Sequence, residues 1–96
     1  MKIYISGQIT GLPYETALQN FTDAEIKLKG MGFHTIVNPM ALEHNHDKSW
    51  EGYMKEDIKA LCGCEAIAML PNWKESKGAQ LEKHLAEQLK LNVVFL

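Results

Sequence analysis

Four short apolar runs mark the chain, at residues 3–6, 33–37, 66–70 and 93–96, and three stretches of helical spacing separate them, at about 15–29, 50–61 and 78–90. Apolar positions recurring every three or four residues imply helices with one buried face, and short β-branched runs imply strands. The order is therefore β-α-β-α-β-α-β. The third and fourth runs are apolar without interruption, as in strands of a parallel sheet covered on both faces. Crossovers between parallel strands are right-handed, which places helices on both sides of the sheet. The expected fold is α/β: a small three-layer α/β/α sandwich around a mainly parallel four-stranded sheet, flavodoxin- or Rossmann-like in its layering. With 96 residues, 46% of them hydrophobic, one domain covering 1–96 and one core are expected.

Ligands of such sheets bind beyond the carboxyl ends of the strands. Those ends carry GQITGLPY after the first strand, NPMALEHNHDKS after the second and PNWKESK after the third. Gly7 and Gly11 permit close approach of backbone to a ligand. The pattern lacks the lysine and hydroxyl residue of a phosphate-binding P-loop.

Two helices break their own pattern. In the last one, Gly78, Ala79, Leu81, Leu85, Ala86 and Leu89 form the apolar arc, and Glu82 lies near its middle. In the middle helix, Trp50, Tyr53, Met54, Ile58, Ala60 and Leu61 form the arc, and Asp57 falls inside it. A carboxylate on a buried face loses its water and is rare unless something pairs with it or uses it. Either acid alone could be a structural acceptor of hydrogen bonds; the coincidence favours chemistry. Helical side chains lean toward the N-terminus, so Glu82 points at Gly78, whose missing side chain is expected to leave a gap above the carboxylate. Tyr4 shares a strand face with Ser6 and can send its hydroxyl toward an inward acid. Ser76 is the expected N-cap of the last helix, beside free N–H groups that suit an anion.

Charge narrows the partners. The net charge of −2, with signs interspersed, offers no basic stripe for a nucleic acid polymer or a membrane surface, which leaves a small molecule. The opening MKIYIS enters a strand pattern directly, so a cytoplasmic location is expected. Cys62 and Cys64 are too close to staple a fold and have no second pair to complete a zinc site. His44, His46 and Asp47 lack a third strong ligand nearby and read as a solvated loop, so neither a metal nor an organic cofactor is expected.

Three blocks, IYISGQITG at 3–11, EDIKALCGCEAIAML at 56–70 and SKGAQLE at 76–82, resemble the nucleoside 2-deoxyribosyltransferase superfamily, which includes the 2'-deoxynucleoside 5'-phosphate N-hydrolases. The likeness spans nearly the whole chain. It looks closest to a branch of short bacterial and phage proteins of unassigned function, with an SGPITG-type opening and an SW..YM..D segment. The resemblance implies that Glu82 attacks the anomeric carbon, that Asp57 assists and that Tyr4 orients the glutamate. It also implies that Ser76 stands where the nucleotide hydrolases use serine for a 5'-phosphate. The expected substrate-binding set is Gly7, Gln8, Ile9, Gly11, Ser76 and Gly78.

The expected activity is cleavage or transfer at the N-glycosidic bond of a nucleoside, deoxynucleoside or 5'-monophosphate. The alternative is a nucleotide-binding or signalling module of the same fold without turnover. A receiver-like domain would need an acidic cluster after the first strand, which Ser6, Gly7 and Gln8 do not supply. A homo-oligomer is expected because the sheet has an edge strand to cover, with Trp50, Tyr53 and Trp73 as candidate anchors, and because the transferases it resembles complete their sites from a neighbouring subunit.

Overall fold

Alternation along the first strand creates two cores. A computed structural model describes residues 1–42 and 49–96 of the chain. In it β1 (Lys2–Ser6) sends Ile3 and Ile5 to one face, against Phe21, Ala24 and Leu28 of α1 (Tyr14–Gly30). Tyr4 points the other way, into a cluster with Leu61 of α2 (Trp50–Cys62), Ile67 and Met69 of β3 (Ala66–Met69), and Ala79 and Ala86 of α3 (Lys77–Gln88). The remaining strands are β2 (Thr35–Val37) and β4 (Asn92–Phe95), and single turns of 3-10 helix lie at Pro39–Ala41 and Trp73–Glu75. The sheet runs β2-β1-β3-β4, every pair parallel. The fold is the small α/β sandwich that the periodicity implies.

This order dictates the layers. From β1 the chain crosses to one side and from β3 to the other, so crossovers of a single hand deposit α1 on one face and α3 on the opposite face, with α2 beside it. The reversal also opens a crevice between the carboxyl ends of β1 and β3. The loops there are joined: the Gln8 N–H donates to Asn72 Oδ1 at 3.0 Å.

Three local expectations are corrected. The second strand begins at Thr35 because Phe33 closes the end of α1, its N–H donating to the Leu28 carbonyl at 3.0 Å around Gly32 at φ +99°. That is a Schellman cap, and it removes residues 33 and 34 from the sheet. The fourth strand is not covered on both faces; it is an edge strand of half-buried and exposed residues, with Phe95 61% exposed. The buried face of α3 is Gly78, Ala79, Glu82 and Ala86, while Leu81 and Leu89 are exposed at its margins. Small residues let this helix approach the sheet closely. Among the described residues no helix is long and apolar enough to cross a membrane.

The end of α3 repeats the cap of α1 without a glycine. The Leu91 N–H donates to the Ala86 carbonyl at 2.9 Å around Lys90, which sits at φ +59°. A side chain in that conformation costs about 1 kcal/mol, partly offset by glycine's greater freedom when unfolded. Lys90→Gly is therefore expected to raise stability by about 0.5 to 1 kcal/mol, read as a higher urea midpoint at unchanged slope.

Candidate active site

Glu82 lies in the second turn of α3 and is 5% exposed. Its helix packs over β1, and the lean of the side chain brings the carboxylate onto the face that carries Tyr4 and Ser6. The Tyr4 hydroxyl donates to Oε2 at 2.6 Å, and the Ser6 hydroxyl donates to Oε1 at 2.7 Å. Both are short bonds of the charge-assisted kind. Asp57, 8% exposed, comes from the buried stripe of α2 that also holds Met54 and Leu61.

Electrostatics follow from this burial. Loss of water pushes the Glu82 carboxyl up to about 7, against the downward pull of the Tyr4 and Ser6 hydrogen bonds and with a further upward push from the Asp57 charge. Burial raises the Tyr4 hydroxyl well above its ordinary value, as do the negative charges of Glu82 and Asp57. Tyr4 thus remains a proton donor throughout the range in which Glu82 titrates.

A cavity of about 880 Å³ opens at this point. That is the size of a small-molecule site. Tyr4, Asp57 and Glu82 line it together with Gly7, Ile9 and Thr10 after β1, Trp50, Tyr53 and Met54 of α2, and Ser76, Lys77 and Gly78 at the start of α3. Four carboxylates, from Glu51, Asp57, Glu75 and Glu82, border it, against the single ammonium of Lys77 among the described lining residues. Lys77 Nζ sits 4.1 Å from the centre of the Trp50 ring, tying the first turns of α2 and α3 together. Ser76 caps α3, its Oγ accepting from the Ala79 N–H at 3.1 Å.

The site residues expected from sequence divide accordingly. Tyr4, Asp57, Glu82, Gly7, Ile9, Ser76 and Gly78 meet around one cavity. Gln8 and Gly11 stand outside its lining: Gln8 Nε2 donates to the Thr10 carbonyl at 3.3 Å, and Gly11 takes φ +92° in the turn. Both shape the loop. Gly7 lines the cavity, yet its lack of a side chain serves packing, since a Cβ there would lie 2.4 Å from Leu70 Cδ1. The gap expected above Glu82 at Gly78 is filled by the sulfur of Met54, 2.9 Å from where a Cβ would be. The glycine lets α2 and α3 touch.

Trp50 and Tyr53, expected as anchors for a partner, line the cavity, and Trp73 packs on Phe95 with ring centres 6.4 Å apart. Ser6 and Lys77 escaped the sequence reading as site residues. Ser6 could have been found, standing two positions from Tyr4 on the same strand face. His44, His46 and Asp47 lie outside the described residues. Among the described residues no group of three or more histidines, cysteines, aspartates or glutamates could hold a metal ion, and both cysteines are free thiols.

Fold and site together define a small α/β protein with a buried carboxylate at the switch point of a parallel sheet. The chain belongs to the family described as Domain of unknown function (DUF4406), whose profile matches residues 1–95. No curated protein and no solved structure matches it.

The raised carboxyl has a thermodynamic consequence. Folded Glu82 holds its proton up to about pH 7, whereas an unfolded glutamate releases it near 4.5, so between these values the folded chain binds more protons. Stability is then fullest below the lower value and falls as pH rises through the higher one, by about 3 kcal/mol in all. Urea unfolding across this range should show the decline in the wild type, and Glu82→Gln should flatten it.

Proposed function

We propose that the protein cleaves or transfers at the N-glycosidic bond of a nucleoside, deoxynucleoside or 5'-monophosphate, with Glu82 as nucleophile. The observation that carries this reading is a buried carboxylate held through both oxygens by Tyr4 and Ser6, facing a cavity that it shares with Asp57. The likeness of the three sequence blocks to the nucleoside 2-deoxyribosyltransferase superfamily points the same way.

The chemistry is that of a retaining glycosidase. Ionised Glu82 attacks C1' to form a glycosyl ester while the C1'–N bond breaks and its electron pair leaves with the base. Asp57 protonates the departing base or holds a sugar hydroxyl. Water then attacks C1' and frees the sugar, or a second base accepts it. The transition state carries positive charge on the sugar ring, and a cavity bordered by four carboxylates suits that charge. Burial that lifts Glu82 to about 7 makes it a more basic carboxylate and leaves about half of it ionised at neutral pH.

Chromatography of free base after incubation with a panel of nucleosides and 5'-nucleotides tests the reading. The wild type should release base, and Glu82→Ala should lose at least about a thousandfold of that rate, as a variant stripped of its nucleophile does. Wild-type turnover in Glu82→Ala excludes it as nucleophile. A substrate-induced rise in Tm with no base released from any compound would mark a binding module instead.

Ser76 is proposed to contact a 5'-phosphate, since it lines the cavity at the start of a helix. Ser76→Ala should then raise KM for a 5'-nucleotide several-fold and hardly change that for the matching nucleoside. Equal effects on both substrates would leave the serine a helix cap.

A further inference from the structure

The two oxygens of Glu82 are held alike, but their partners are placed differently. Tyr4, the partner of Oε2, lines the cavity. Ser6, the partner of Oε1, is 1% exposed and has no share in the lining. Its Cα pairs with Met69 at the carboxyl ends of β1 and β3, and the buried hydroxyl reaches the carboxylate from the sheet beneath it. We infer that Ser6 is a positioning residue that makes the oxygens inequivalent, holding Oε1 as the future carbonyl oxygen so that Oε2 bonds to the anomeric carbon. The inference rests on the reading of Glu82 as nucleophile.

The consequence differs between the two halves of the reaction. In the first, an Oε2 lone pair forms the bond to C1', and the electron pair of the C1'–N bond departs with the base, which takes up a proton. In the resulting ester Oε1 is the carbonyl oxygen and still accepts from Ser6. An ester oxygen such as Oε2 is the poorer acceptor, so the Tyr4 bond weakens there. In the second half a water oxygen attacks C1' and gives up a proton. The C1'–Oε2 bond breaks, its electron pair returns to the carboxylate, and the negative charge spreads onto Oε1. Ser6 already donates to the atom where that charge appears. A donor in place before charge develops stabilises the transition state without reorganisation. Release of the glycosyl group therefore depends on Ser6 more than its capture does.

Ser6→Ala should let the glycosyl-enzyme accumulate. Rapid mixing would show a burst of free base followed by a steady rate at least about tenfold below wild type, the scale of one hydrogen bond to a charged group. Ser6→Cys, close in shape but a weak donor, should fall between the two. The acid limb of the kcat/KM profile should move up by about one pH unit in Ser6→Ala, because one of the bonds that favour the charged form is gone. Asp57 from α2 and Tyr4 from β1 are the titratable groups whose charge or hydrogen bond acts on Glu82. They are unchanged in these variants.

A Ser6 that only fills the core would lower Tm and leave both the burst and the limb where they were, which overturns the inference. Titration of ¹³C-labelled Glu82 reads the grip on Oε1 without turnover: an upward move in Ser6→Ala supports it, and an unmoved curve overturns it. A moved titration with no burst from an active enzyme would overturn the assignment of Oε2 alone. Wild-type protein that releases no base would overturn the activity itself.

Discussion

The structure turns on a single buried carboxylate. Taking an ionised glutamate out of water is among the costlier acts a small fold can perform, and only hydrogen bonds that favour the charged form offset it. Two hydroxyls do so here, from alternate residues of β1, one of the two central strands. Much of the surrounding architecture serves that meeting. Small residues bring α3 down onto the sheet, Gly78 lets α2 close against it, and the strand order puts β1 beneath both.

The same arrangement explains why the site sits where it does. A strand order that reverses between β1 and β3 leaves their carboxyl ends without a helix passing over them, and the loops that follow diverge. Gln8 and Asn72 hold those loops together, while Lys77 and Trp50 hold the first turns of the two helices on the other side. The cavity is thus framed by interactions that do not involve the carboxylates. Framing and chemistry are separate sets of residues, so the opening can vary in shape while Glu82 keeps its partners.

The layers, the four parallel strands and the two anomalous acids were legible in the sequence because they depend on periodicity and on the hand of crossovers. Asp57 and Glu82 stood out because a charged residue violates a helical stripe regardless of its neighbours. What periodicity cannot give is depth. It placed Leu81 and Leu89 on the buried arc of α3, yet the centre of that face belongs to glycine and alanine, and the larger residues lie at the rim. It read β4 as a covered strand because apolar runs look the same at the middle and at the edge of a sheet. The gap expected at Gly78 is filled by Met54, and a side chain at Gly7 would meet Leu70; both neighbours are remote in sequence and beyond the reach of a local pattern. Ser6 carried no anomaly of its own, and only its place two positions from Tyr4 on one strand face pointed to it.

The hydrogen bonds on Glu82 span 78 and 76 residues of chain. Loop closure over such distances comes late and slowly in folding. A chain still being synthesised holds Tyr4 and Ser6 from the start, but their carboxylate partner is missing until α3 has emerged. Parallel pairing also ties register to side-chain direction, so a slip of one residue in β1 would turn both hydroxyls to the α1 side and two isoleucines toward the acid. A molecule that has buried Glu82 correctly has therefore already placed its first strand, its last helix and the strand between them, and the ionisable group doubles as a checkpoint on the whole topology.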